Sequence, residues 1–131
     1  MNKKVMIVDD EIDILNTLKT LLEKQNYEVV TAENGEECLK KIKEGFKGIV
    51  LMDIFMPQMN GLDTIKEIVD KGLIKNVAIE VVTGYGMDKK MMGMLDPYIY
   101  DYLDKPININ ELISSVENCN KYLLAKSNQK K

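Results

Sequence analysis

The sequence predicts an α/β protein, one five-stranded parallel sheet with helices on both faces, a doubly wound arrangement. Three observations carry this. Short apolar runs alternate strictly with amphipathic stretches, and five such strand–helix units follow one another. The run GIVLMD at 48–53 is apolar almost throughout, as a central strand covered on both faces must be. The chain has 131 residues, with no internal repeat, linker or low-complexity segment, which fits one domain with a real core.

The elements follow in order. KVMIVD (4–9) is strand-like. EIDILNTLKTLLEKQ (11–25) puts Ile14, Leu15, Leu18, Leu21 and Leu22 on one helical face. YEVVTA (27–32) is a second strand. NGEECLKKIKEG (34–45) predicts a short helix with Cys38, Leu39 and Ile42 on one side. After the third strand, GIVLMD, the loop IFMPQMNG (54–61) ends in turn residues. LDTIKEIVDKG (62–72) gives Leu62, Ile65, Ile68 and Val69 one face. VAIEVVT (77–83) is the fourth strand, and MDKKMMGML (87–95) a weaker helix that Pro97 should end early. IYDYL (99–103) is the fifth strand, broken by Lys105-Pro106. Asn108 and Glu111 form an N-x-x-E capping box that opens a last helix carrying Leu112, Ile113, Val116 and Leu123 on one face. The domain is expected to occupy 1–124, and the polar tail 125–131 to fray.

Composition excludes several functions. Hydrophobic residues make up 45% and charged residues 30%, as in ordinary globular proteins. No apolar run approaches the roughly 20 residues of a membrane span, and no signal-peptide apolar region precedes the first acids, so a cytoplasmic location is expected. Cys38 and Cys119 stand in no metal-like spacing and read as reduced thiols. Histidine is absent, which removes His-based zinc sites, Ser-His-Asp triads and any self-contained phosphohistidine. Every basic residue is lysine and the net charge is -3, so sequence-specific nucleic-acid binding by this chain alone is not expected.

Chemistry concentrates at the strand ends. In open parallel sheets, ligands bind outside the carboxyl ends of the strands. Here the first strand ends in Asp9 and Asp10 with Glu11 behind, the third in Asp53, the fourth in Thr83-Gly84 and the fifth near Lys105-Pro106. An acidic cluster alone suits a helix N-terminus. With Asp53 and Lys105 brought to the same crevice, it suits a hard cation. Magnesium fits, because it binds through few carboxylates and accepts a phosphate oxygen. Lys105 offers a point charge, Thr83 a hydroxyl donor and Gly84 close backbone approach, all suited to a phosphoryl group.

These motifs, VDDE, VLMDIFMPQMNG, VVTGYG and YLDKP, in this order and spacing, resemble the receiver domain of response regulators. The resemblance runs from Lys3 to about Leu124. It implies the flavodoxin-like (CheY-like) fold with strand order 2-1-3-4-5 and a phosphorylation-controlled switch. The roughly twenty residues between Lys105-Pro106 and the polar tail suffice for the last helix only, so no output domain is expected. It implies Asp53 as phosphoacceptor, Asp10 as a direct Mg2+ ligand, Asp9 acting largely through water, and the Phe55 backbone carbonyl as a further ligand. Lys105 would pair with the phosphoryl group, Thr83 would move toward it, and Tyr102 would be the switch aromatic. Lys105-Pro106 is a candidate cis peptide.

The implied partners are a histidine kinase or phosphotransfer protein and a downstream protein at the face of the fourth helix, fifth strand and fifth helix. The chain itself would be a monomer or weak dimer. On that face DPYIYDY replaces the family's usual small Gly-Ala pair, and Tyr98 and Tyr100 add bulk, so partner geometry need not transfer. Phe55 and Tyr85 offer no well-placed group to orient water, so a long-lived phosphorylated form is expected. Two other functions fit less well. A magnesium-dependent aspartyl phosphohydrolase usually carries its nucleophile on the first strand, and a constitutive binding module would not need the complete acid, Thr and Lys set.

Overall fold

The computed structural model describes residues 3–54, 56, 60–84 and 89–129. Its elements are β1 (Lys4–Val8), α1 (Ile12–Lys24), β2 (Glu28–Ala32), α2 (Gly35–Lys43), β3 (Gly48–Asp53), α3 (Gly61–Asp70), β4 (Val77–Thr83), α4 (Lys89–Leu95), β5 (Ile99–Asp104) and α5 (Ile109–Gln129). Short 3-10 turns at Ile74–Asn76 and Asp96–Tyr98 lead into β4 and β5. All paired strands are parallel, in the order β2-β1-β3-β4-β5. This is the doubly wound order that the resemblance implied. The chain leaves β1 toward β2 on one side and reaches β3 on the other, which opens a crevice at the carboxyl ends of β1 and β3.

Strand alternation divides the core in two. Met6, Val8, Val50, Met52, Ile79 and Val81 point to the layer of α2, α3 and α4, where Ile42, Ile65, Ile68 and Leu95 meet them. Val5, Ile7, Ile49, Leu51, Ala78 and Val82 point to the other layer, against Leu15, Leu18 and Leu22 of α1 and Leu112, Val116 and Cys119 of α5. Every residue of β1 after Lys4 and of β3 after Gly48 is buried, because both faces are covered.

Helix starts follow the asparagines. The side chains of Asn34, Asn60 and Asn108 accept from the backbone N–H of Glu37 (2.9 Å), Asp63 (2.9 Å) and Glu111 (3.0 Å). Such caps contribute about 1 kcal/mol each. Gly61 has a packing reason. A Cβ there would lie 2.5 Å from the Ile54 Cα and 2.6 Å from the Asp53 carbonyl oxygen, so glycine lets α3 start directly beside the end of β3.

The last helix runs on to Gln129, five residues beyond the boundary drawn at Leu124. Nothing in Ala125–Gln129 breaks a helix, and Lys126 in the last turn suits the helix dipole. As expected, α4 stops at Leu95 and Pro97 sits in the following 3-10 turn, while Lys105-Pro106 is cis. The β4–β5 register shifts between Ile79, opposite Ile99, and Glu80, opposite Asp101. Tyr100 is the extra residue. This bulge turns Asp101 toward α5 and leaves Tyr102 packed on the α4 side.

Candidate functional site

Three strand ends and one cis turn build the site. Asp9 follows β1 directly, and its backbone N–H donates to Ala32 O at 3.1 Å, continuing the β1–β2 ladder. Its carboxylate accepts from the Glu11 N–H at 2.9 Å and is 4% exposed. Asp53 closes β3 and is 2% exposed, while Asp10 is open to solvent. One carboxylate oxygen from each of Asp9, Asp10 and Asp53 lies within 4.8 Å of the others. Lys105, directly after β5, places Nζ 3.1 Å from Asp53 Oδ2. Its backbone N–H donates to Thr83 O at 2.9 Å, which ties the turn to the end of β4.

Among the described residues the charges of the site do not balance. Burial pushes the Asp9 carboxyl up to about 6. The Glu11 N–H lowers it, Asp53's charge raises it further, and Lys105 partly offsets that. Three carboxylates against one ammonium make a donor set of hard oxygens with an excess of negative charge. That set fits a small dication carrying its own waters. All three carboxylates are close enough to share it, Asp10 from the solvent side and Asp9 and Asp53 from the buried side.

Thr83 stands beside the site, but its hydroxyl is engaged elsewhere. Oγ1 lies 2.8 Å from Asp104 Oδ1 and donates to it, with Leu103 O at 3.4 Å. Gly84 follows Thr83 at the rim, half-buried. Tyr102 donates its hydroxyl to the Asp96 carboxylate, and its ring packs partly buried against the α4-side core. Burial, then the bond to Asp96, raise that phenol to about 12, so it stays a donor at neutral pH. Phe55 and Tyr85 lie outside the described residues.

The structure thus brings Asp9, Asp10, Asp53 and Lys105 together with Thr83 beside them, and adds two acids that sequence reasoning did not single out, Asp104 and Asp96, which hold Thr83 and Tyr102. Their only signal was position, one acid directly before Lys105 and the other directly before Pro97.

Comparison with known proteins agrees with this geometry. Residues 5–117 match the family model for the response regulator receiver domain. The chain is 40% identical over 114 residues to the transcriptional regulatory protein CpxR homolog of Haemophilus influenzae, covering 87% of this chain and 48% of that protein. It is 35% identical over 122 residues to the chemotaxis protein CheY of Thermotoga maritima, covering 92% of this chain and all of that protein. The chain spans about half the length of the CpxR homolog and of the Bacillus subtilis regulator PhoP, at 48% of each. Among solved structures, a CheY-like receiver domain protein from Methanospirillum hungatei superposes with a TM-score of 0.88 at 35% identity, covering 94% of this chain and 98% of that one.

Proposed function

The chain belongs to the response regulator receiver domain family of two-component systems, and from this we propose that it is a phosphoaspartate-controlled signalling switch. It takes phosphate from a histidine kinase or phosphotransfer protein on Asp53, with Mg2+, and signals through a protein partner. One observation carries this reading. Asp53 is a buried carboxylate with a lysine ammonium 3.1 Å away and two further carboxylates within 4.8 Å.

The chemistry follows from those positions. A carboxylate oxygen of Asp53 attacks phosphorus, the P–N bond of the donor histidine breaks, and the imidazole leaves with the electron pair. Both partners are anionic, so repulsion is the first obstacle. Lys105 screens it from one side and stabilises the equatorial oxygens. When bound, Mg2+ neutralises charge on those same oxygens and aligns them. Asp10 and Asp53 would hold the ion, with Asp9 beside them.

The acyl phosphate adds charge next to β4. Thr83 then exchanges its bond to Asp104 for one to the phosphoryl group, with Gly84 N–H beside it. Tyr102 leaves Asp96 and rotates into the space that Thr83 vacates. The face of α4, β5 and α5 changes as a result.

A groove beside the site suits the docking of the donor. This groove, of about 690 Å³ between α1 and the turn after β5, has apolar walls from Ile14, Leu18, Leu21 and Ile107, and opens at Asp9 and Lys105. A donor helix lying there would bring its phosphohistidine to Asp53. No helix among the described residues is long and apolar enough to cross a membrane. The reading places the protein in the cytoplasm, as a monomer or weak dimer, with slow self-dephosphorylation and no steady turnover of small phosphate esters.

The test is chemical. The protein is incubated with acetyl phosphate and Mg2+, and the acyl phosphate is trapped by borohydride reduction and mapped. Label at Asp53, abolished by EDTA, is expected. Label elsewhere, or label indifferent to EDTA, contradicts the assignment.

A further inference from the structure

The α5-facing layer holds a polar cluster that the phosphoryl site does not use. Glu80 lies in the middle of β4, in an otherwise apolar run, and is 0% exposed. The β4–β5 bulge sets Asp101 directly opposite it, so two carboxyl groups face the same helix. Ser115 of α5 stands between them. Its Oγ lies 2.6 Å from Glu80 Oε2 and 2.7 Å from Asp101 Oδ2. The other oxygen of Glu80, Oε1, is buried with no partner.

Counting protons decides what this cluster is. A serine hydroxyl has one hydrogen and can donate to only one of two acceptors. A second oxygen–oxygen contact this short needs a second proton, and only a carboxyl group can supply it. Glu80 is the group that suits the neutral form. It is fully buried and no cation among the described residues faces it, whereas Asp101 is half-buried and its Oδ1 already accepts the Tyr102 N–H at 2.8 Å.

The other titratable groups that face Glu80 do not compensate a charge on it. They are Asp101 and Tyr100 on β5, Cys119 on α5 and Tyr27 before β2, while β3 offers the apolar Leu51. Tyr27, Tyr100 and Cys119 are all held above their ordinary values, chiefly by burial, and stay neutral. Glu117 and Lys3 lie beyond Tyr27, paired with each other at 3.7 Å.

We propose that Glu80 in its protonated form donates to Ser115, and through Ser115 and Asp101 makes the packing of α5 on β5 proton-dependent. Losing that proton leaves two carboxylates competing for one hydroxyl between the two elements. Asp101 also holds the Tyr102 N–H, so the same event reaches the strand that presents Tyr102. Burial, partly opposed by the Ser115 contact and reinforced by the charge of Asp101, pushes Glu80 up to about 7, within reach of physiological change.

The sign follows from linkage. A group raised on folding contributes stability that is complete below its unfolded value, 4.5, and is lost as pH rises through about 7. Glu80→Gln keeps the shape and the donor but cannot ionise. From about pH 5 to about pH 8 the wild type should therefore lose on the order of 100-fold in folding equilibrium constant relative to Glu80→Gln. Contributions from Asp9 are common to both proteins and cancel.

Carboxyl-carbon NMR of the unphosphorylated protein reads the same proton directly. A Glu80 midpoint near neutrality is expected, with the Tyr102 amide moving at the same midpoint in wild type and not in Glu80→Gln. An ordinary carboxylate midpoint for Glu80, or an identical pH dependence of stability in the two proteins, overturns the proposal. If Glu80→Gln does not fold, the wild-type carboxyl midpoint decides alone. No phosphodonor is involved, so the result stands apart from the phosphorylation reading.

Discussion

Asp53→Asn is expected to abolish phosphoryl uptake, with label from acetyl phosphate falling at least about 1000-fold. The carboxamide has nearly the same volume as the carboxylate, so the end of β3 should keep its packing under Gly61. It lacks a nucleophilic oxygen of comparable charge. Lys105 loses its partner at 3.1 Å but is 33% exposed at the side chain and can be hydrated. The variant should therefore fold and fail only in chemistry. A second readout comes with it. Asp53's charge is one reason that Asp9 is raised, so the Asp9 midpoint should fall in Asp53→Asn. Wild-type label in this variant would move the acceptor to another carboxylate, with Asp9 and Asp10 the first to map.

Magnesium binding should separate the two neighbouring acids. Asp10 faces solvent, where a hydrated ion arrives, and Asp9 is buried behind it with one oxygen committed to the Glu11 N–H. Removing a direct carboxylate ligand costs more than removing an outer one, and losses at outer positions run to roughly 10–100-fold in affinity. Asp10→Asn should therefore lose at least about 10-fold more affinity than Asp9→Asn. Without metal, Asp9 acts on stability through its own proton. Asp9 is raised from 3.8 to about 6, so its stabilising contribution is complete below the lower value and lost as pH rises through about 6. At neutral pH, metal-free Asp9→Asn should be more stable than wild type by about 1–3 kcal/mol. Magnesium affinity of the wild type should weaken below about pH 6, as protons compete for Asp9. Equal losses for both variants in a magnesium titration would contradict the division of roles.

How much could be read beforehand depended on which physics set each feature. The alternation of runs and the all-apolar GIVLMD come from burial on two faces, so they are written in composition. The acids at the ends of β1 and β3 followed once those strands were placed. The strand order came from the resemblance, because alternation alone does not say which neighbour each strand takes. The engagement of Thr83 with Asp104 is a matter of one hydroxyl's direction, and no sequence pattern encodes that. Glu80 was legible as the single acid in VAIEVVT. Its meaning was not, because the bulge at Tyr100 decides that Asp101 faces it and an even alternation would have turned Asp101 away. The tail 125–131 was expected to fray because it is polar, but polarity does not stop a helix when no breaker follows, and α5 runs on to Gln129.

The most direct measurement of the switch is the Tyr102 amide signal by NMR, with Mg2+ present, before and after acetyl phosphate, in wild type and Thr83→Ala. The wild type should shift at Asp53, Thr83 and Tyr102, because Thr83 gives up Asp104 and frees the space that Tyr102 enters. Thr83→Ala should take the phosphoryl group and shift around Asp53, with Tyr102 left in place. Identical Tyr102 shifts in the two proteins, or a wild-type response confined to the acid pocket, would contradict the account.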